Sequence, residues 1–272
     1  MKYMIPILGA TAAASTLFLL ALRCRAGHPG LKALQGHAYA HRGLHGNGLP
    51  ENSMAAFRAA LEHGYGIELD IHLMKDGNLA VIHDSSLKRT AGVDVQITDL
   101  TVEDLEQYRL EGTEEKIPLF SQVLELYASQ KPLIIELKAD GKNAKELVDA
   151  AVKAMEGYEG PWCMESFDPR CIRWLKKNYP SVIRGQLTEN FFASKNELPA
   201  ALKFILRHNL VNFLTVPDFV SYKYADRKHT ITNAICRKVW DAQGASWTIK
   251  TQEEFDTAVK EGWLPIFEDF TP

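Results

Sequence analysis

Short apolar runs alternate with amphipathic stretches along the chain from about residue 37 to the C-terminus. In the stretch 52–63, Met54, Phe57 and Leu61 recur at helical spacing, which predicts a helix. Eight of the apolar runs are short, rich in β-branched or aromatic residues and bounded by turn residues, which is typical of strands. The predicted strands are residues 37–40, 67–71, 133–137, 162–167, 182–187, 211–216, 246–249 and 264–267.

This alternation of strands and helices predicts an α/β protein with parallel pairing. Eight strand–helix units between residues 37 and 272 match a (β/α)8 TIM barrel, which we expect to be one domain. An open doubly wound sheet is the alternative, but no glycine-rich phosphate turn follows the first strand. Residues 85–118 contain turn residues and one short helical pattern, and predict a small insertion after the second strand that caps the barrel mouth.

The run from residue 3 to residue 22 contains twenty residues and no charge. A helix of that length spans about 30 Å, the hydrocarbon thickness of a bilayer. We therefore expect residues 1–25 to be an N-terminal membrane anchor with one transmembrane helix. A buried core helix is one alternative. A cleaved signal peptide is another, although Arg23 and Arg25 stand where small cleavage-site residues belong. The basic residues that follow the run outnumber the single lysine before it, which favours a cytoplasmic catalytic domain.

Composition narrows the possible partners. The net charge is −3, so the chain lacks the basic footprint of a nucleic-acid binder. The four cysteines show no CxxC pair or other metal-binding spacing, which indicates reduced thiols in an intracellular protein. Nothing in the sequence indicates an oligomeric state.

Acidic residues lie in two neighbouring predicted strands. Glu68 and Asp70 are two positions apart and therefore on the same face of the second strand, and Glu136 lies in the third. The C-terminal ends of barrel strands meet at one mouth, where three carboxylates would repel one another without a cation. Oxygen ligands suit a hard divalent ion, Mg²⁺ or Ca²⁺. The alternatives are acidic strand ends without an ion and an ordinary ion pair between Glu136 and Lys138.

Two histidines occur close to these carboxylates in sequence. His41 follows the first predicted strand, and His83 ends a further apolar run over residues 79–83. Because imidazoles titrate near neutral pH, the two predict an acid–base pair. Arg42 and Lys138 add positive charge that would stabilise a phosphoester in its transition state. The residues alone therefore favour phosphoester chemistry.

Six short motifs follow one another in a fixed order. They are His-Arg-Gly at 41–43, Pro-Glu-Asn at 50–52, Glu-x-Asp at 68–70, Lys-Asp-Gly at 75–77, His-Asp at 83–84 and Glu-x-Lys at 136–138. In this set and order the chain resembles the glycerophosphodiester phosphodiesterase family. The resemblance implies a TIM barrel that hydrolyses glycerophosphodiesters to glycerol 3-phosphate and an alcohol with a divalent cation. The nucleophile, a glycerol hydroxyl or water, stays open.

The resemblance also implies residue roles. The general acid and base would be His41 and His83. The metal ligands would be Glu68, Asp70, Glu136 and Glu51. The substrate-binding residues would be Arg42 and Lys138, which face the phosphate, and Trp247, which lines the alcohol pocket.

Two alternatives to this function are carried forward. The first is a lysophospholipase D that acts on lysophospholipids at the membrane, and the second is an inactive membrane-tethered binding module. The chain departs from the family at Glu268, where the family usually has threonine, and this puts one pocket wall in doubt. His45, just after the His-Arg-Gly turn, is expected to be a solvated loop histidine.

Overall fold

In the computed structural model, which describes residues 14–228 and 230–272, eight parallel strands close into a barrel. A ninth strand, β3, is an antiparallel extension of β2. The strands are β1 Tyr39–His41, β2 Gly66–Leu73, β3 Leu79–Val81, β4 Leu133–Leu137, β5 Trp162–Ser166, β6 Arg184–Thr188, β7 Phe219–Lys223, β8 Gln243–Ile249 and β9 Trp263–Phe267.

The barrel closes through its first strand. β1 pairs in parallel with β2, where Ala40 is the partner of Ile67, and also with β9, where Ala40 is the partner of Phe267. The other barrel strands follow one another in chain order from β2 through β4 to β9. The prediction of a (β/α)8 TIM barrel is therefore confirmed.

Helices connect the strands on the outside of the barrel. The first begins after Ser53, whose side chain accepts a hydrogen bond from the backbone N–H of Ala56 and so caps the helix. The α-helices are α1 Met54–Glu62, α2 Lys88–Ala91, α3 Val102–Leu105, α4 Phe120–Tyr127, α5 Ala144–Ala154, α6 Pro169–Asn178, α7 Ala200–Arg207, α8 Asn212–Thr215, α9 Ile231–Lys238 and α10 Gln252–Lys260. Short 3₁₀ helices cover Pro29–Leu34, Ile97–Asp99 and Tyr224–Asp226.

The hydrophobic core has two layers, because successive strand residues point to opposite faces. In β7, Phe219 packs inside the barrel, whereas Val220 and Tyr222 pack in the layer between strands and helices. The 3₁₀ helix Pro29–Leu34 contributes Leu34 to the inner cluster, at the N-terminal end of the barrel. That end is therefore filled with apolar side chains, and the C-terminal end is left for polar groups.

One predicted strand is wrong. Residues 211–216 contain the short helix α8, and the seventh strand is instead Phe219–Lys223. The β-branched residues of 211–216 resemble a strand locally, but Val216 adopts a left-handed conformation with φ of +41°. Proline follows at 217. Residues 220–223 alternate between apolar and polar side chains, which is a short strand signal, because one face of β7 lines the barrel interior.

The segment between β3 and β4 has a hydrophobic cluster of its own, which includes Leu87, Ile97, Leu105 and Ile117. It begins where β3 turns back along the end of β2, with Ile71 opposite Val81. This segment covers most of the predicted insertion at 85–118. It stands beside the C-terminal end of the barrel, since it follows directly from the extension of β2.

The membrane anchor predicted for residues 1–25 lies in large part outside the described residues. Residues 14–21 are helical, and Leu22 is buried against the barrel layer. No helix in the part of the chain that the structure describes is long and apolar enough to cross a bilayer.

We expect Phe57→Ala to lower the free energy of unfolding by about 3–5 kcal/mol, because it removes a fully buried aromatic ring of α1 from the core. Denaturant titration measures this. The matched control is Phe213→Ala in α8, where the ring is 54% exposed and the change should stay within about 0.5 kcal/mol. Equal losses in both variants would contradict the packing described here.

Candidate active site

Three carboxylates meet at the C-terminal end of the barrel. Glu68 and Asp70 project from β2, and Glu136 projects from β4, where it is the register partner of Asp70. All three are buried, and one carboxylate oxygen from each lies within 4.8 Å of the others. The prediction that parallel register would bring these side chains together agrees with this geometry.

The negative charges of these three carboxylates repel one another. Burial and the neighbouring charges of Asp70 and Glu136 hold the pKa of Glu68 well above its usual range. Burial also raises the pKa of Glu136 to about 7, although Lys138 acts in the opposite direction. Such a cluster is stabilised when a positive charge lies among the oxygens. The donor set consists of carboxylate oxygens only, so it fits a hard divalent cation.

Two cationic side chains border the cluster. Lys138 Nζ lies 2.7 Å from Glu136 Oε1 and 3.0 Å from Asp70 Oδ1. Arg42 Nε lies 3.4 Å from Asp70 Oδ2. Burial acts to raise the pKa of Asp70, but these cations and the amide of Asn52 hold it well below its usual range. The carboxylate of Asp70 is therefore ionised, and both predicted phosphate-facing cations lie at the site.

The turn after β1 positions Arg42. Its backbone is left-handed, with φ of +56°, and its N–H donates to the carbonyl of Glu68 at 2.9 Å. Gly43 follows with φ of +80°, and a Cβ there would lie 2.9 Å from Ala56 in α1. Glycine is therefore required at this position by both conformation and space. The His-Arg-Gly motif is a turn that fits tightly between β2 and α1.

Each predicted catalytic histidine is held by a carboxylate. His41 Nδ1 lies 2.5 Å from Glu268 Oε2, and His83 Nδ1 lies 2.6 Å from Asp84 Oδ1. A carboxylate only accepts hydrogen bonds, so Nδ1 carries the proton in both rings and Nε2 is left for proton transfer. The Nε2 atom of His41 lies 3.8 Å from a carboxylate oxygen of Glu68.

The two imidazoles are neutral near pH 7. Burial lowers the pKa of His83 to about 4, with Lys138 and Arg42 acting in the same direction. Burial lowers the pKa of His41 as well, although the hydrogen bond with Glu268 opposes the shift. Both rings therefore have a free lone pair on Nε2 and can accept a proton.

A pocket of about 360 Å³ joins these groups. Its lining includes His41, His83, Glu68 and Glu136, and an apolar wall formed by Phe167, Leu187 and Trp247. Trp247 packs edge-to-face on Phe167 at a centroid distance of 5.6 Å. The predicted position of Trp247 at the wall of the site therefore agrees with the structure. A larger groove of about 770 Å³ continues past His83 and the insertion.

Glu51 does not join the three-carboxylate cluster among the described residues. Its carboxylate accepts from Arg42 Nη1 at 2.9 Å and from Arg89 Nη2 at 2.6 Å. Arg89 also donates to Asp84, the partner of His83. Glu51 therefore links Arg42 to Arg89, and through Arg89 to the His83–Asp84 pair. Its role as a metal ligand stays a prediction.

Two residues of the site were not predicted from the sequence, and a third lies in a different environment from the one predicted. Glu165 in β5 is the register partner of Glu136, and burial with the charge of Glu136 raises its pKa to about 8. An acidic residue inside an apolar strand was the available signal. Glu268, treated only as a departure in a pocket wall, directly holds His41. His45 was expected to be solvated, but its side chain is only 19% exposed.

Comparison with known proteins agrees with this site. A model of the glycerophosphoryl diester phosphodiesterase family matches residues 41–271. A glycerophosphodiester phosphodiesterase of Caldanaerobacter subterraneus is 35% identical over 240 residues, which cover 85% of this chain and 92% of that relative. A lysophospholipase D of Rattus norvegicus is 36% identical over 126 residues, which cover 42% of this chain and 40% of that protein.

A solved structure has the same architecture. The phosphodiesterase of Oleispira antarctica, determined in complex with the product sn-glycerol-3-phosphate, aligns with a TM-score of 0.70 at 22% identity. The alignment covers 86% of this chain and 92% of that one, and at this identity it shows the fold alone. The family model and the relative from Caldanaerobacter subterraneus span nearly the whole barrel, and the chain therefore belongs to the glycerophosphoryl diester phosphodiesterase family.

Proposed function

We propose that this enzyme hydrolyses glycerophosphodiesters to glycerol 3-phosphate and an alcohol, with Mg²⁺ or Ca²⁺ held by Glu68, Asp70 and Glu136. The observation that carries the proposal is the convergence of two histidine–carboxylate pairs and a three-carboxylate cluster on one pocket. A phosphodiester needs its charge neutralised and two protons moved, and these groups supply both requirements.

The proton transfers follow from the hydrogen bonds. With Nδ1 fixed by a carboxylate, the Nε2 atom of one histidine takes the proton of the attacking hydroxyl. The other histidine first binds a proton from solvent at Nε2 and, as an imidazolium, gives it to the leaving oxygen. The carboxylate partners Asp84 and Glu268 stabilise the imidazolium form of each ring. Arg42 and Lys138 bind the phosphate oxygens, and a bound divalent cation supplies further neutralisation of the charge that develops there.

The place where the N-terminal segment meets the barrel bears on the substrate class. The guanidinium of Arg25 binds Asp218, which directly precedes β7, and its backbone N–H donates to Pro217. These contacts lie at the N-terminal ends of the strands, on the face opposite the catalytic pocket. The catalytic pocket therefore opens on the face away from the N-terminal segment, and an anchor in that segment would hold the pocket away from the membrane. This arrangement supports water-soluble glycerophosphodiesters as substrates. Lysophospholipase D activity is the second candidate, because relatives that carry that name match part of this chain.

We also propose that residues 3–22 anchor the enzyme in a membrane and that the barrel lies on the cytoplasmic side. The uncharged length of the run supports the anchor, and Arg23 and Arg25 after it support the orientation. Leu17, Phe18 and Leu20 in the described end of the run are exposed, so apolar side chains continue up to the barrel.

Replacing either histidine should remove most of the activity. We expect His41→Ala and His83→Ala each to lower kcat on glycerophosphocholine by about 10²- to 10⁴-fold, because each removes one proton-transfer group. Release of glycerol 3-phosphate measures turnover, and circular dichroism checks the fold. The exposed His63, replaced in the same way, should leave kcat unchanged.

The same assay separates the two substrate classes. Wild-type enzyme should turn over glycerophosphocholine with a higher kcat/KM than lysophosphatidylcholine. A clear preference for the lipid would favour the second candidate function. Full activity of both histidine variants on both substrates would contradict the proposed chemistry itself.

Activity should require a divalent cation. We expect a chelator to abolish turnover and added Mg²⁺ or Ca²⁺ to restore it, because the buried carboxylates bind phosphate only when their charge is neutralised. Glu136→Gln removes one ligand charge at almost constant size and should raise the cation concentration needed for half-maximal rate. The exposed Glu125→Gln is the control. Undiminished rates after chelation would show that no cation takes part.

The anchor is tested by one substitution within the uncharged run. We expect the full chain in the membrane fraction after an alkaline wash, and Ala12→Arg to shift it to the supernatant, since a buried arginine costs about 2.5–3.5 kcal/mol. Ala12→Leu is the matched control and should stay with the membrane. Protease added to intact cells should leave the barrel intact. Digestion of the barrel would show that it lies on the outer side of the membrane.

A further inference from the structure

We propose that His41, His45 and Glu268 form a second cation site, selective for Zn²⁺-like ions, and that its occupation switches the enzyme off. The site itself stands independently of the proposed function, whereas its effect on turnover rests on that function.

The three side chains already converge. Glu268 Oε2 lies 2.5 Å from His41 Nδ1 and 3.8 Å from His45 Nε2, and one donor atom from each residue lies within 4.8 Å of the others. Ligands around a four-coordinate zinc ion at 2.0–2.2 Å stand about 3.4 Å apart. Small side-chain shifts therefore bring all three donors to bonding distance.

His45 supplies the most specific observation. Its Nε2 atom is enclosed by the protein and has no hydrogen-bond partner among the described residues. A buried polar atom without a partner is unfavourable unless something binds it. The backbone N–H of His45 donates to Gly43 at 2.9 Å, so the ring is carried by the same tight turn that positions Arg42. The unpartnered nitrogen therefore faces the oxygen of Glu268 from a defined loop.

The donor chemistry separates this site from the carboxylate cluster. Two imidazole nitrogens and one carboxylate suit Zn²⁺ and similar transition ions, whereas oxygen-only clusters suit Mg²⁺ and Ca²⁺. Glu268 is ionised, because the nearby imidazoles of His41 and His45 and the ammonium of Lys250 hold its pKa far below its usual range against the effect of burial. The two groups of ligands share one pocket but prefer different metals.

Nearby groups support the carboxylate in this role. Lys250 Nζ lies 2.7 Å from Glu268 Oε1, the oxygen that does not face the histidines. The contact fixes the carboxylate with Oε2 towards His41 and His45, as an outer hydrogen bond does for a metal ligand. Lys250 also pairs with Asp269, and its side chain is half exposed.

Occupation would stop proton transfer at His41. A metal on Nδ1 would displace the proton that this atom now donates to Glu268, and the neutral ring would then carry its single proton on Nε2. That nitrogen faces Glu68 and the catalytic pocket. It has no lone pair left to accept a proton, and the ring cannot pass through its imidazolium form. His41 is then unable to act as either acid or base.

Calorimetry with Zn²⁺ tests the site on the full-length protein in excess Mg²⁺, which fills the carboxylate cluster. We expect one Zn²⁺ bound per wild-type chain and a Kd at least about tenfold weaker in His45→Asn. His63→Asn, which changes an exposed histidine outside the pocket, should bind as wild type. Glu268→Thr provides a second measurement of binding should His45→Asn fail to fold by circular dichroism.

Turnover of glycerophosphocholine under the same conditions tests the effect. We expect Zn²⁺ to inhibit the wild type, with the half-inhibitory concentration raised in His45→Asn by the same factor as Kd. An unchanged Kd in His45→Asn, or inhibition that added Mg²⁺ reverses, would overturn the proposal. Full turnover with Zn²⁺ bound at His41, His45 and Glu268 would show that this site does not switch the enzyme off. Binding without any turnover in zinc-free enzyme would instead refute the proposed function.

Discussion

The buried negative charge at the mouth of the barrel is the constraint on which the site depends. Parallel register places Asp70 beside Glu136, and alternation along β2 adds Glu68 on the same face. Burial alone would protonate such a cluster. Lys138 and Arg42 keep part of it ionised, so the cluster is balanced only in part by the protein's own cations. That remaining imbalance favours the binding of a cation at the mouth.

The opposite end of the barrel allows this arrangement. There Leu34, Phe219 and the ring of Tyr39 pack inside the barrel, and the buried Tyr39 hydroxyl donates to the carbonyl of Leu34. A barrel separates stability from catalysis in space, because side chains pack at its N-terminal end and the catalytic groups lie at its C-terminal end. The stability lost by burying like charges at one end is therefore offset by the packing at the other.

The sequence predicted the parts of the site that depend on short spacings. The positions of Glu68 and Asp70 follow from strand periodicity, and His83 is beside Asp84 in the chain. The β7 strand was misplaced because local β-branching in 211–216 resembles a strand more than Phe219–Lys223 does. The role of Glu268 could not be predicted, because its contact with His41 joins residues 227 positions apart. Only closure of β1 onto β9 creates that contact.

The two catalytic histidines differ in how far along the chain their carboxylate partners lie. The orientation of His83 depends on its neighbour Asp84, which Arg89 holds from the insertion. The orientation of His41 depends on Glu268, just after β9, and therefore on the last step of barrel closure. One proton-transfer group is thus set locally and the other by the complete fold. A chain whose barrel is not closed would keep the His83 pair and lack the His41 pair, so the chemistry is complete only in the folded enzyme.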